Sequence, residues 1–161
     1  METNVDIKKT IYVSPLAMDY NILHVVSKMF KQKYEKSCDD KNGYILNIHS
    51  VKNITNMISK DSTYVQFNAI LNATVIKPQI GITFSFKPSL IISRGIFGKI
   101  YDISLLIPED YLKKKGWIFH QNTFIKNEGK ETINNHSDLK VKILNYQFAG
   151  TKYNCICDLC D

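Results

Sequence analysis

No stretch of this chain approaches the roughly 20 consecutive apolar residues that a helix needs to cross a bilayer, so no helical span is expected. The opening residues, METNVDIKK, lack the apolar core of a secretory signal, and the protein is expected to remain in the compartment where it is made. Cysteine is sparse. Without such a signal, the four present (Cys38, Cys155, Cys157 and Cys160) read as reduced thiols rather than as a disulfide framework. Arginine is nearly missing: Arg94 stands alone, and the net charge of +6 rests on lysine. A basic surface of this size suits a nucleic-acid or acidic-protein partner.

Catalytic patterns are missing as well. His24, His49, His120 and His136 show neither H-x-x-x-H nor H-E-x-x-H spacing, which argues against a metalloprotease or zinc hydrolase. Gly95 and Gly98 are not followed by the Lys-Ser/Thr of a phosphate-binding loop. The carboxylate pairs Asp39-Asp40, Glu109-Asp110 and Asp158/Asp161 fall in turns or near the last residue, where solvated charge is expected rather than general acid–base work. Cys155, Cys157 and Cys160 form C-x-C-x-x-C, and a zinc or iron–sulfur site completed by Cys38 or a histidine is one reading. Zinc sites, however, pair two Cys-x-x-Cys units or add histidines at fixed spacing. Two residues apart on a strand, Cys155 and Cys157 share one face and read as small apolar core residues. No enzyme, metal or cofactor is expected.

What is present is an ordinary globular composition, 44% apolar and 22% charged, in a chain of 161 residues that makes one domain or two small ones. Heavy use of Ile, Lys and Asn points to an AT-rich genome. The pivotal stretch is 63–81, TYVQFNAILNATVIKPQIG. Val65, Phe67, Ile70, Ala73, Val75 and Ile76 alternate imperfectly, with Asn68 and Asn72 as the expected irregularities of a long or bulged strand. Lys77-Pro78 ends it, because proline cannot donate to a ladder, and a domain boundary is expected at about Lys77.

Before that boundary, residues 7–13 read as a strand, and Ser14-Pro15 ends it. Residues 20–34, with Asp19 as N-cap, form an amphipathic helix whose stripe is Ile22, Val25, Val26, Met29 and Phe30. Residues 35–42 are a polar connection, 44–49 a second strand, 51–58 strand or helical turn, and Lys60-Asp61-Ser62 a turn. One helix on an antiparallel sheet follows. Beyond Gly81 the period stays near two: 82–87, 90–93, 99–107, 117–125, 139–146 and 153–159 are strand-like. Residues 111–116 read as a short helix or loop, and 127–137 as the most mobile loop. Five or so short strands hide their edges only by closing, so an OB-type β-barrel is favoured over a sandwich. The overall class expected is α+β, with a helix-on-sheet domain at 1–77 and the barrel at 78–161.

Several pieces carry a resemblance. Ser37-Cys38, Lys41-Asn42-Gly43-Tyr44-Ile45-Leu46, Val65-Gln66-Phe67-Asn68 and Val75-Ile76-Lys77-Pro78 with Gly81 come in order and at the right separations. So do Ser93-Arg94-Gly95-Ile96-Phe97 and Asp138 with LKVKI after it. Together they resemble the family of the seventh subunit of RNA polymerase II, its archaeal counterpart and the paralogues in polymerases I and III. The chain departs from that family in having Ile82-Thr83-Phe84 where an Asp-Gly pair is usual, and in a short third-strand region. The divergence and the Lys/Ile/Asn bias suggest a large DNA virus as source.

The resemblance implies a non-catalytic stalk subunit. Its first, tip domain would plug into the base of the polymerase clamp, in contact with the large subunits, through Pro15, Leu16, Lys60, Asp61 and Ser62. Its barrel would lie near the RNA exit path, and a helical partner like the fourth subunit packs along both domains in most relatives. A viral protein would work in virions and cytoplasmic factories, a cellular one in the nucleus. From the residues themselves, Lys113-Lys114-Lys115 beside Tyr111, Trp117 and Phe119 make a case for phosphate tracking with base stacking. Trp117 itself reads rather as core. Lys87, Arg94, Phe97 and Lys99 complete the expected RNA-binding set, with single-stranded RNA as ligand and no membrane contact. A free-standing single-strand-binding barrel is the alternative; it has no need of an apolar plug at Pro15-Leu16.

Overall fold

The computed structural model describes every residue except Met1, Asp19, Ser59, Asp61, Ser62 and Asp161. The chain is α+β and rich in strand, and it divides into two compact units, Glu2–Lys77 and Pro78–Asp161.

The first unit runs β1 (Glu2–Val13), a 3-10 turn (Pro15–Ala17), α1 (Ile22–Tyr34), β2 (Cys38–Asp39), β3 (Gly43–Ile58) and β4 (Val65–Ile76). Its antiparallel sheet has the order β1-β4-β3-β2. In β4 the alternation is complete: Val65, Phe67, Ala69, Leu71, Ala73 and Val75 are buried, while Gln66, Asn68, Ile70, Asn72 and Thr74 share the other face. This corrects the expectation that Asn68 and Asn72 interrupt the strand and that Ile70 belongs to the core face. The Asn68 Oδ1 accepts from the Thr10 hydroxyl at 2.6 Å, and the Asn72 amide donates to Asp6 at 2.8 Å, so both asparagines bond across to β1. The irregularities lie instead in β3, whose register against β4 shifts at three places, the last between Lys52 and Thr55, where Asn53 has φ 52°. Residues 51–58 continue that strand, and β1 begins at Glu2, earlier than position 7.

Helix α1 lays Val26 and Phe30, both fully buried, into one cluster with Ile7, Ile11, Ile45 and Leu71 of the sheet. Burying a side chain the size of Phe30 contributes about 1.5–3 kcal/mol. The helix starts after Asn21, and Asp19, the expected cap, lies outside the described residues. At its other end the Tyr34 hydroxyl donates to the Thr10 carbonyl at 2.5 Å, with the Lys9 ammonium over the Tyr34 ring and 2.7 Å from Asp39. Partial burial pushes the Asp39 carboxyl up, but hydrogen bonds from Lys9 and Asn42 outweigh it and hold the group below its usual range.

The second unit contains β5 (Thr83–Phe86), β6 (Leu90–Ile92), β7 (Gly95–Ile100), β8 (Ile103–Pro108), α2 (Glu109–Lys114), β9 (Ile118–His120), β10 (Thr123–Lys126), β11 (Glu131–Ile133), β12 (Leu139–Phe148) and β13 (Tyr153–Leu159). Six of these strands form one sheet in the order β5-β12-β13-β8-β7-β6, antiparallel except for the parallel pair β13–β8. Strands β5 and β6 stand at opposite edges of this sheet, yet only Lys87, Pro88 and Ser89 separate them. The sheet therefore curls into a half-barrel. Its inner face packs Phe86, Ile96, Ile103, Leu105, Val141, Ile143 and Tyr153, and α2 contributes the fully buried Leu112.

The curl presses β5 onto β7. A Cβ built on Gly98 would lie 2.2 Å from the Phe86 ring, so only glycine leaves room for it. Three sequence expectations change here. Residues 99–107 are a hairpin turning at Tyr101-Asp102, with Tyr101 at φ 52°, and not one strand. Residues 117–125 likewise hold the hairpin β9–β10. The polar segment 127–137 contains β11, which pairs with β10 and buries Ile133.

Gly98→Ala should destabilise the second unit by about 1–3 kcal/mol through overpacking against Phe86. In urea unfolding followed by Trp117 fluorescence, combining it with Phe86→Leu should cost less than the sum of the two single changes. Strict additivity would show that the ring and the glycine do not confine each other.

Candidate nucleic-acid interface

Alternation along the curled sheet sends one set of side chains inward and the other out, and strand register aligns the outer set into rows. One row crosses β7, β8, β13 and β12 as Phe97, Leu106, Ile156 and Asn145. The next row crosses the same strands as Lys99, Ser104, Asn154 and Gln147. Between them lies a depression of about 280 Å³ with an apolar floor and a rim of three carboxamides and one hydroxyl. Ile156 is 39% exposed there. The side chains of Ser104, Gln147 and Asn154 make no hydrogen bond among the described residues, so their donors and acceptors face solvent. Such a surface offers stacking and neutral hydrogen bonding together.

The cations expected to bind RNA have different fates. Lys113 is held by Glu109 at 2.6 Å, and that carboxylate raises the Lys113 ammonium above its ordinary range. Lys99 pairs with Asp102 at 3.4 Å, and Lys87 stands 4.0 Å from Asp138. Lys115 donates to the Leu159 carbonyl at 2.6 Å and faces Asp158 at 3.9 Å, which ties the end of α2 to β13. This is a structural role that the run of three lysines did not reveal. Lys114 lies over the Tyr111 ring, and Arg94 is exposed in the β6–β7 turn, its carbonyl accepting from the Glu109 amide. Phe97 and Lys99 thus share one face, Arg94 precedes them, and 113–115 belong to α2 and its end. Trp117 is half-exposed under the Lys126 ammonium at 5.7 Å, not in the core.

Lys140 and Lys142 were not among the expected cations. Both are exposed, and neither has an ion-pair partner among the described residues. They face outward beside Ser85 and Thr83 of β5. The alternation in LKVKILNY was signal enough to pair them, since period-two spacing puts both on one face.

In the first unit, Leu16 is 98% exposed, and Pro15 and Lys60 are exposed. Asp61 and Ser62 lie outside the described residues. Tyr20, Leu23, Met57, Ile58 and Tyr64 are exposed as well, and Leu23 and Ile58 line an open depression of about 400 Å³ with Met18, Ile22 and Ile54. The pairing Val13↔Val65↔Ile58 puts the turn after β1 and the end of β3 at the same end of the sheet.

Cys155 and Cys157 are buried in the inner face, and desolvation pushes both thiols up to about 12. Among the described residues no three His, Cys, Asp or Glu side chains cluster to hold a metal ion. No protein-family model and no curated protein matches this chain.

At pH 8 a soluble maleimide should modify Cys38 and Cys160 well before Cys155 and Cys157, which should react only on unfolding. Because the folded thiols hold their protons more tightly than unfolded ones, their contribution to stability is complete below pH 9 and is lost as pH rises toward 12. Equal labelling rates in the folded protein, read by mass spectrometry, would contradict this burial.

Proposed function

We propose that this chain is a non-catalytic stalk subunit of a multisubunit DNA-directed RNA polymerase. Its first unit docks on the large subunits, and its second is an OB-type barrel that contacts nascent single-stranded RNA. The topology of the second unit carries the reading. With β5 and β6 taken as one strand bent at Pro88, five strands follow the order of an OB barrel, including its one parallel pair. Helix α2 falls between the third and fourth of these strands. In such barrels the second and third strands, here β7 and β8, and the loops flanking them present the ligand face.

The first unit supports the stalk over a free-standing RNA binder. A protein acting alone has no use for Leu16, Tyr20, Leu23 and Ile58 left exposed, whereas a docked subunit buries such side chains against its partner. Charged groups are depleted from interface cores, and these side chains have the matching apolar character. A helical partner like the fourth subunit fits the same assembly. Its place of work follows from the polymerase: virion and cytoplasmic factory for a viral enzyme, nucleus for a cellular one.

Affinity purification of the tagged chain from its native source should recover the two large polymerase subunits in stoichiometric amounts. Leu16→Asp combined with Ile58→Asp should abolish that recovery while leaving the circular dichroism spectrum unchanged, since both side chains are exposed. Recovery of RNA without large subunits at gentle salt would overturn the stalk assignment in favour of the free-standing barrel.

A further inference from the structure

We infer that single-stranded RNA crosses the second unit over β12 and β13, with one unpaired base in the Phe97–Leu106–Ile156 depression and the adjoining phosphates on Lys140 and Lys142. This rests on the RNA-binding reading of the barrel and moves the path away from the lysines that the sequence singled out.

The first ground is charge. Lys87, Lys99, Lys113 and Lys115 each have a carboxylate within 4.0 Å that offsets part of their charge, so each offers a phosphate less than an unpaired cation does. Lys140 and Lys142 stand free, with the hydroxyls of Ser85 and Thr83 opposite them. Asp158, across from Lys142, is engaged with Lys115. The second ground is register. Lys142 pairs with Asp158 and Asn145 with Ile156, so the lysine row and the apolar row are two residues apart along β13, or roughly 7 Å. A phosphate on the first row therefore leaves its base over the second. The third ground is the lining: Phe97, Leu106 and Ile156 supply a sequence-tolerant stacking floor, and Asn145, Gln147 and Asn154 supply donors and acceptors for a base edge or a ribose hydroxyl.

The test is fluorescence anisotropy of the full chain with a labelled oligouridylate, titrated at several salt concentrations. Lys140→Gln combined with Lys142→Gln should weaken binding about tenfold near physiological salt and flatten the log–log salt slope by about 1.4, the loss expected for two single-strand phosphate contacts. Arg94→Gln combined with Lys114→Gln should change binding less. Phe97→Ala should weaken oligouridylate binding about five- to hundredfold, the range for one stacked base, and should leave binding of an abasic ribose–phosphate oligomer unchanged. If the Lys140/Lys142 variant binds like the wild type while the Arg94/Lys114 variant fails, this path is wrong and the barrel still binds RNA. If the wild type itself binds no RNA at low salt, both the path and the RNA role of the barrel fall. If Phe97→Ala spares RNA but weakens recovery of polymerase subunits, the depression is a protein contact and the inference is overturned.

Discussion

Three residues join the two outermost strands of the six-stranded sheet, and nearly everything in the second unit follows from that short tether. A flat sheet would hold β5 and β6 five strand spacings apart, far beyond what Lys87, Pro88 and Ser89 can span. The sheet has to curl. Curling brings Phe86 against β7, which is tolerable only because residue 98 has no side chain, and it gives the sheet an apolar inner face. The outside is then fanned into rows in which residues distant in sequence, such as Phe97 and Asn145, serve one surface. Pro88 suits the bend because it has no N–H to lose from a ladder.

The first unit obeys a different constraint. Its central strand pairs along its whole length on both edges, so one face must supply the entire sheet side of the core. Small residues at Ala69 and Ala73 alternate with Phe67 and Leu71, and α1 settles onto that surface through Val26 and Phe30. What the helix does not cover is the end where β3 stops and β4 begins, and there the apolar side chains stay open to solvent. A monomer has little reason to keep such a patch, and this is the physical core of the docking proposal.

Much of this architecture was legible in the sequence because period-two and helical spacing are long-lived signals. The stripe of α1 and the strands 139–146 and 153–159 follow from spacing alone, whereas Phe97 and Lys99 are placed by the expectation of an OB-type ligand face. The misreadings share a cause: the deciding information was not local. Asn68 and Asn72 looked like breaks because asparagine is poor in strands, but Thr10 and Asp6, far away in sequence, satisfy them. The hairpin at Tyr101-Asp102 lacks Gly or Asn at the turn, so an alternating run concealed it. The run Lys113-Lys114-Lys115 stands out by clustering and Lys99 by the expected OB-type face, although Glu109 lies four residues before Lys113 and Asp102 three after Lys99, spacings that announce ion pairs. Lys140 and Lys142 form no such run, and only the strand's period of two puts them on one face.

The pairing of Glu2 with Ile76 carries a consequence for how the protein is made. The first strand of this unit to leave the ribosome is an edge strand, and its one sheet partner among the described residues is the last strand of the unit. At roughly 5–20 residues per second, it waits several seconds, solvated and unpaired, before β4 exists to receive it. The β-meander of the second unit faces no such delay between β7 and β8. Nascent β1 therefore passes through synthesis as an orphan, and its charged outer positions, Asp6 and Lys8 among them, keep that orphan from pairing with another chain before its partner emerges.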